Sequence, residues 1–316
     1  MVDYPVTLQE FEARFATEQA CLDYLYQVRW PDGFRCPRCG HDEGWPLADR
    51  PLWQCVSCNY QTSVTAGTIF EGTRKPLTMW FRAMWWVCAQ KNGTSALGLQ
   101  RILGLGSYRT AWTWMHKLRR AMVCPGRDRL SGHIEVDETY VGSEPQPGPR
   151  GRGALKKTLV GIAAEQNGDK IGRIRMQTLR DASQKSLHAF VKSSIEQEST
   201  IHTDGWKGYN HIEEAGYLRE ITLLKYEKEP PSQAMPRVHR VASLLKRWLM
   251  GTHHGGVSIR HLDYYLDEFT FRFNRRTSKR RGLLFYRLIE NTVNLPPVPY
   301  GEIITAKSGR RGKHKI

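Results

Sequence analysis

The chain has 316 residues, of which 40% are hydrophobic, and this is enough for two or three small domains that each bury a core. It contains no run of about 18 apolar residues, and its first stretch is acidic and interrupted by Pro5, so we expect a cytoplasmic protein without membrane span or signal peptide. The 47 Lys and Arg residues outnumber the 31 Asp and Glu residues, and the formal net charge of +16 favours a polyanionic partner over a merely basic surface.

Apolar residues recur at helical spacing in the first 30 residues, where Thr17 is placed to cap a second helix. Two C-x-x-C pairs follow, and they predict a structural Zn²⁺ site of four thiolates rather than a disulfide framework. The predicted ligands are Cys36, Cys39, Cys55 and Cys58. Because the flanking residues have strand character, we predict a zinc ribbon and assign residues 1–72 to the helical lead-in and this ribbon.

Residues 73–125 are predicted to form one segment, in which the pattern is helical from Leu77 to Met122 and a glycine-containing turn at residues 104–106 precedes a basic last helix. This order is typical of a DNA-binding helix-turn-helix, and an ordinary helical hairpin with a solvated basic face is the alternative. The residues predicted to contact DNA here are Arg109, Thr110, Lys117, Arg119 and Arg120.

The segment HIEVDETYV, residues 133–141, alternates apolar and polar residues and predicts a strand that carries Asp137. Most aspartates at strand ends only form turns or are solvated, so Asp137 alone proves little. The next residues predict two strands, a helix and a short strand that ends at Asp204. A helix near Ile212, a further strand and a last helix closed by Gly251 are predicted after it. This is the order of an RNase H-like α/β core, a mixed sheet flanked by helices, in which Asp137 and Asp204 lie on adjacent strand ends.

Paired carboxylates of this kind suit Mg²⁺, which prefers oxygen ligands. Two such ions would activate a water or a 3′-hydroxyl and stabilise the leaving oxygen of an in-line displacement at phosphorus. This chemistry requires a third ligand from the helix after the last strand.

Several motifs in this order resemble insertion-sequence transposases of the DDE superfamily, in the IS1595-type group with an N-terminal zinc ribbon. They are CPRCG, CVSCN, SYRTAWTWMHKLRRAM, VDETYVG, HTDGWKGY, LLKRWLMGTHH and HLDYYLDEFTFRFNRR. The resemblance implies a transposase that cleaves the ends of an insertion sequence and joins them to target DNA with Mg²⁺ or Mn²⁺. It also implies that double-stranded DNA, as terminal inverted repeats and target, is the partner, that the protein is a homo-oligomer on DNA, and that it is associated with the nucleoid when bound.

By this resemblance the first two catalytic aspartates match Asp137 and Asp204, and a basic residue of the last helix matches Lys246. The third ligand position lies seven residues before Lys246 and is His239, where the typical pattern has an acidic residue or, in some relatives, Asn. A neutral imidazole binds a metal but adds no negative charge. Either His239 is a working ligand or the chain is a catalytically lapsed DNA-binding protein or regulator, and a nuclease without strand transfer would share the same site.

The predicted catalytic domain comprises residues 126–295 and ends in a cationic cluster in which Arg275 and Arg276 are expected to bind DNA. Between its first two strands lies a linker rich in Gly, Pro and cations. Residues 296–316 form a polar, basic tail that we predict to be disordered.

Overall fold

A computed structural model describes residues 3–123, 126–142, 157–222 and 234–305. The chain divides into two compact units, one formed by Met1–Cys124 with Ser278–Ile304 and the other by Pro125–Thr277 with Thr305–Ile316. The predicted linker after residue 142 and the end of the predicted tail after residue 305 lie outside the described residues. Within the described ranges, no helix has both the length and the apolar character needed to cross a bilayer.

The first unit consists of helices around a small three-stranded sheet. Its elements are α1 (Leu8–Arg14), α2 (Glu18–Arg29), β1 (Gly44–Pro46), β2 (Trp53–Cys55), β3 (Gln61–Thr62), α3 (Leu77–Ala89), α4 (Ala96–Leu103), α5 (Tyr108–Ala121), and then α9 (Arg281–Val293) and α10 (Tyr300–Thr305). The side chain of Thr17 accepts a hydrogen bond from the Ala20 N–H, so it caps α2 as its position predicted. The three strands pair antiparallel in the order β1-β2-β3.

Helix α9 groups with this first unit, although residues 126–295 were predicted to form the catalytic domain. The cause is an aromatic core in which the Phe285 ring lies 5.4 Å from that of Phe11 and 5.7 Å from that of Phe81. Within the predicted tail, residues 300–305 form α10, and Ile303 on this helix is fully buried. Burial of one large aliphatic side chain opposes the disorder that the polar composition predicted.

The second unit is a five-stranded mixed sheet with helices on both faces. Its elements are β4 (His133–Val141), β5 (Thr158–Asn167), β6 (Lys170–Leu179), α6 (Gln184–Ser194), β7 (Thr200–Asp204), β8 (Leu218–Thr222), α7 (Pro236–His253) and α8 (Leu262–Asn274). The strand order is β6-β5-β4-β7-β8. Strands β4, β5 and β6 pair antiparallel, whereas β7 pairs parallel with β4 and with β8. The predicted mixed α/β fold is confirmed.

Each face of this sheet has its own core because side chains alternate along the strands. Ile134 and Val136 pack with Leu187 and Phe190 of α6 on one face. On the other face, apolar residues of β5 and β6 pack against α7 and α8. The helix predicted near Ile212 is instead two single 3-10 turns, Lys207–Tyr209 and Glu213–Ala215, the second ending at Gly216 with φ +86°. Helix α7 ends at His253, two residues beyond the predicted stop at Gly251.

Candidate active site, metal centre and nucleic-acid-binding elements

The two predicted catalytic aspartates lie on neighbouring parallel strands. The last paired residues of β4 and β7 are Glu135 and His202, and Asp137 and Asp204 each follow two residues later. Asp204 is the final residue of β7, and its Oδ1 accepts the Trp206 N–H at 3.0 Å. Strand alternation places Asp137 on the same sheet face as Glu135, which is the face covered by α7.

A buried tyrosine that the sequence analysis did not single out lies among these carboxylates. Tyr209 is fully buried, and burial holds the pKa of its hydroxyl well above the ordinary value, with further increases from the negative charges of Glu138, Asp137 and Asp204. The hydroxyl of Tyr209 is therefore buried in the negative field of these carboxylates. Glu138, the residue after Asp137, is next to this tyrosine and also lines the cavity that contains Asp137. The HTDGWKGY motif that carries Asp204 contains Tyr209 and was the available indication.

Asp137, His239 and Lys246 line one open cavity of about 400 Å³ together with Glu138 and Ser243. The Nε2 atom of His239 is buried and has no hydrogen-bond partner among the described residues. The pKa of Lys246 is lowered, first by burial and then by the positive charge of Lys157, while the charge of Asp137 acts in the opposite direction. The first aspartate, the histidine and the lysine thus face the same space.

The start of α7 is attached directly to the strand that carries Asp137. Glu135 is 1% exposed, and its carboxylate accepts the backbone N–H groups of Arg237 at 2.7 Å and Val238 at 3.0 Å. The same carboxylate forms an ion pair with Arg237 Nη1 at 2.8 Å. Pro236 occupies the first helical position, where its missing N–H has no intrahelical partner to lose. Glu135 is therefore an N-terminal cap that fixes the helix carrying His239, and the sequence analysis missed it.

Oxygen donors from Asp137, Glu138 and Asp204, with the partnerless imidazole nitrogen of His239, form a donor set that fits divalent cations. Among the described residues, the possible ligand atoms of Asp137, Asp204 and His239 do not all lie within 4.8 Å of one another. In a two-ion site the ions lie about 3.5–4 Å apart, so ligands of different ions need not be that close.

The Sγ atoms of the four predicted zinc ligands all lie within 4.8 Å of one another. The Sγ atoms of Cys36 and Cys58 lie 3.7 Å apart, and those of Cys39 and Cys55 lie 3.6 Å apart. Sulfurs bound tetrahedrally to zinc at about 2.3 Å lie roughly 3.8 Å apart, so the arrangement fits a closed structural site. The antiparallel strands β1, β2 and β3 make the surrounding structure a zinc ribbon, as predicted.

Helices α4 and α5 flank the glycine turn at the position of the predicted helix-turn-helix. Ser95 caps α4 by accepting the Gly98 N–H, and Gly104 ends the helix in a left-handed conformation with φ +61°. On α5, Arg109 is exposed and its guanidinium lies 5.4 Å from the Tyr300 ring centroid, while Thr110 is half-buried.

Three other predicted DNA contacts on α5 are not on an exposed basic face. Lys117 donates a hydrogen bond to the Ile69 carbonyl, and burial lowers its pKa. Arg119 is 1% exposed, and Arg120 lies 3.9 Å from Glu302. The basic residues at the end of α5 therefore serve packing as well as charge, because the helix is covered on more than one side.

Arg275 and Arg276, at the end of α8, also make internal contacts. The Arg276 guanidinium lies 4.0 Å from the Phe273 ring centroid and donates to the Ile171 and Gly172 carbonyls of β6. Burial lowers the pKa of Arg276. Arg275 lies 4.3 Å from the Phe271 ring centroid. Arg276 thus holds α8 against the sheet, in addition to any contact with DNA.

Comparison with known proteins agrees with this arrangement. Residues 129–274 match the family described as the ISXO2-like transposase domain, and residues 16–61 match the transposase zinc-ribbon domain of the same IS1595 group. The chain is also 28% identical over 279 residues to a Halobacterium salinarum protein described as an uncharacterized protein in transposable element ISH50, covering 82% of this chain and 91% of that protein. The domain match includes both strands with the aspartates and the helix with His239. The chain therefore contains an N-terminal zinc ribbon and an ISXO2-like transposase domain, both of the kind found in IS1595-type transposases.

Proposed function

We propose that this chain is an active DNA transposase that cleaves the ends of its insertion sequence and joins them to target DNA. The observation that carries the proposal is the cavity in which Asp137, His239 and Lys246 converge, with Asp204 at the end of the adjacent strand. A family match alone does not require that an individual chain be active, whereas converging catalytic groups on rigid elements favour activity.

The assigned roles follow from the chemistry of each side chain. Asp137, Asp204 and His239 would hold Mg²⁺ or Mn²⁺, which when bound activates the attacking hydroxyl and stabilises the leaving oxygen. Lys246 lies two helical turns after His239 on α7, and its ammonium group would bind a phosphate oxygen beside the scissile bond. Tyr209, held protonated by burial and by the nearby negative charges, would keep its proton and offer its O–H as a hydrogen-bond donor to Glu138.

The same geometry supports His239 as a working third ligand. Its Nε2 atom is buried and lacks a partner among the described residues, which is costly for a polar atom unless something else binds it. An incoming cation would remove that cost. The other candidate function, a catalytically lapsed DNA-binding protein or regulator, shares the zinc ribbon and helix-turn-helix and differs only in this site.

We assign DNA binding to the first unit and to basic residues around the catalytic cavity. The four-thiolate zinc ribbon and the exposed start of α5 at Arg109 are the elements that face a nucleic-acid partner in this proposal, with double-stranded terminal repeats and target DNA as substrates. Joining two element ends requires two catalytic sites, so we propose that the chain forms a homo-oligomer on DNA.

Strand transfer by the full-length protein with its own terminal repeats tests the proposal. Parent protein should be active with Mg²⁺ or Mn²⁺, whereas Asp137→Ala and Asp204→Ala should reduce the rate by at least about 10³-fold and retain DNA binding. His239→Ala should be similarly impaired, and His239→Glu should recover much of the activity because it restores an oxygen ligand. Activity that survives Asp137→Ala refutes the site. A parent without activity together with an active His239→Glu variant identifies a lapsed enzyme.

A further inference from the structure

A second group of metal-binding side chains lies on the same sheet as the catalytic aspartates. His133 begins β4, His202 lies in the middle of β7, and Glu220 lies in the middle of β8. One ligand atom from each of the three residues lies within 4.8 Å of the others. Among the residues that the structure describes, only these three and the four ribbon cysteines meet this criterion.

Backbone pairing explains why the three side chains converge. His202 is directly paired with Glu220, and Glu135 is directly paired with His202, so His133 lies one side-chain repeat before that pair on the same face of β4. Each of three adjacent strands therefore supplies one ligand. The positions depend on hydrogen-bonded strands rather than on a loop, so the group is already organised before any ligand binds.

The donor types select one class of ion. Two imidazoles and one carboxylate form a ligand set that zinc and other first-row divalent transition metals use, whereas Mg²⁺ prefers a shell of oxygens. Ligand atoms bound to one such ion lie about 3–4 Å apart, and in the structure the three ligand atoms already lie within 4.8 Å of one another.

The contacts at this group are compatible with an exchangeable ion. His133 Nε2 lies 2.7 Å from Glu220 Oε2, and His202 Nε2 lies 2.6 Å from Thr222 Oγ1. His133 Nδ1 is buried and has no hydrogen-bond partner among the described residues. The Glu220 side chain is 55% exposed and that of His133 34% exposed, so the carboxylate has room to rotate and an ion has a path from solvent.

We propose that His133, His202 and Glu220 bind one divalent transition-metal ion, with Zn²⁺ as the representative, and that this ion joins β4, β7 and β8. Asp137 follows His133 by four residues on β4, and Asp204 follows His202 by two residues on β7. The ion stabilises the part of the sheet from which both aspartates extend. This site is separate from the proposed catalytic ions and does not depend on the proposed function.

Calorimetric titration of the full-length chain with Zn²⁺ tests the site. The ribbon zinc is kept in place, the buffer contains millimolar Mg²⁺, and Asp137→Ala with Asp204→Ala removes the catalytic carboxylates. We expect one further equivalent of Zn²⁺ to bind and to raise the thermal midpoint of unfolding. Glu220→Gln and His133→Gln should each weaken this binding by about 10-fold or more, because each removes one ligand.

A matched control is available in His211, which forms an exposed pair with Glu214 at 3.0 Å on the same unit. His211→Gln removes a surface histidine with a carboxylate partner, and it should leave the binding of the further zinc unchanged. The circular dichroism of the zinc-ribbon-loaded variants, measured before titration, should match the parent, since the substituted side chains are exposed or partly exposed. The proposal is overturned if no further equivalent binds, if Glu220→Gln and His133→Gln leave binding unaltered, or if His211→Gln weakens it equally.

Discussion

The capping of α7 by Glu135 makes a sharp prediction for Glu135→Ala. This change removes a carboxylate that is 1% exposed and accepts two backbone N–H groups and the Arg237 side chain. Breaking a buried ion pair by removing one partner costs about 3–5 kcal/mol. Loss of the cap is included in that range, because a cap alone contributes about 1 kcal/mol. We expect Glu135→Gln to cost less, about 1–3 kcal/mol, because an amide oxygen still accepts hydrogen bonds but leaves the charge of Arg237 unpaired.

Hydrogen exchange measured along α7 is the suitable assay, because it reports the free energy of local opening in a chain of two units. Glu135→Ala should lower the protection of the α7 amides and reduce strand transfer, since His239 and Lys246 lie on that helix. A double-mutant cycle with Arg237→Ala should show that the two changes together cost less than their sum.

Glu165 provides the matched control for this experiment. Its carboxylate accepts hydrogen bonds from the Arg173 backbone N–H and from the Arg173 Nε and Nη2 atoms, so it is also a carboxylate paired with arginine on the same sheet. Glu165→Ala should destabilise the hairpin of β5 and β6 but leave protection of α7 as it is in the parent. The reasoning is refuted if Glu135→Ala costs less than about 1 kcal/mol, if the cycle is additive, or if both variants affect α7 equally.

The remaining predictions concern the zinc ribbon, the loss of stability at acidic pH and the basic helix α5. Cys36→Ser should lower the zinc content of the ribbon and unfold it, because such a domain depends on its metal, and metal analysis with limited proteolysis would detect this. Arg173 holds the pKa of the Glu165 carboxyl below its ordinary value against the opposing effect of burial. The stabilisation from that pair is therefore fully present above the pKa of Glu165 in the unfolded chain and is lost as pH falls through its pKa in the folded chain. Glu165→Gln should therefore make the free energy of unfolding depend less on pH in the acidic range. Affinity for DNA should fall steeply with salt. Arg109→Ala should lower the slope of log affinity against log salt by about 1, whereas Arg119→Ala, at a buried position, should lower the thermal midpoint and leave that slope unchanged.

Local patterns in the sequence predicted most of the elements and the strands that carry the two aspartates. The spacing of the cysteines indicated the ribbon, alternation indicated β4, and strand order was sufficient to place Asp137 and Asp204 on neighbouring strands. These predictions succeeded because each depends on short-range periodicity or on the few ways in which such strands assemble.

Features that depend on how the elements pack together could not be predicted from these local patterns. Glu138 lies on the α6 face of the sheet, since it pairs with Gly161, whose Cβ position faces Phe190, and alternation could not show that it also lines the cavity of Asp137. Arg119 was predicted to contact DNA because it is a cation on a basic helix, but its side chain is as buried as that of a core residue. The apolar face of helix α9 could pack against either unit. Periodicity alone therefore could not show that this helix groups with the first unit.

A histidine at the proposed third ligand position would depend on this packing. A carboxylate would carry its own attraction to a divalent cation, whereas a neutral imidazole must be placed accurately, because it contributes a lone pair and no charge. Glu135 supplies that placement by fixing the first turn of α7 to β4, two residues before Asp137. The histidine is thus attached through one buried carboxylate to the strand of the first aspartate. If His239 is a working ligand, loss of Glu135 should therefore harm this chain more than it harms a relative with an acidic third residue.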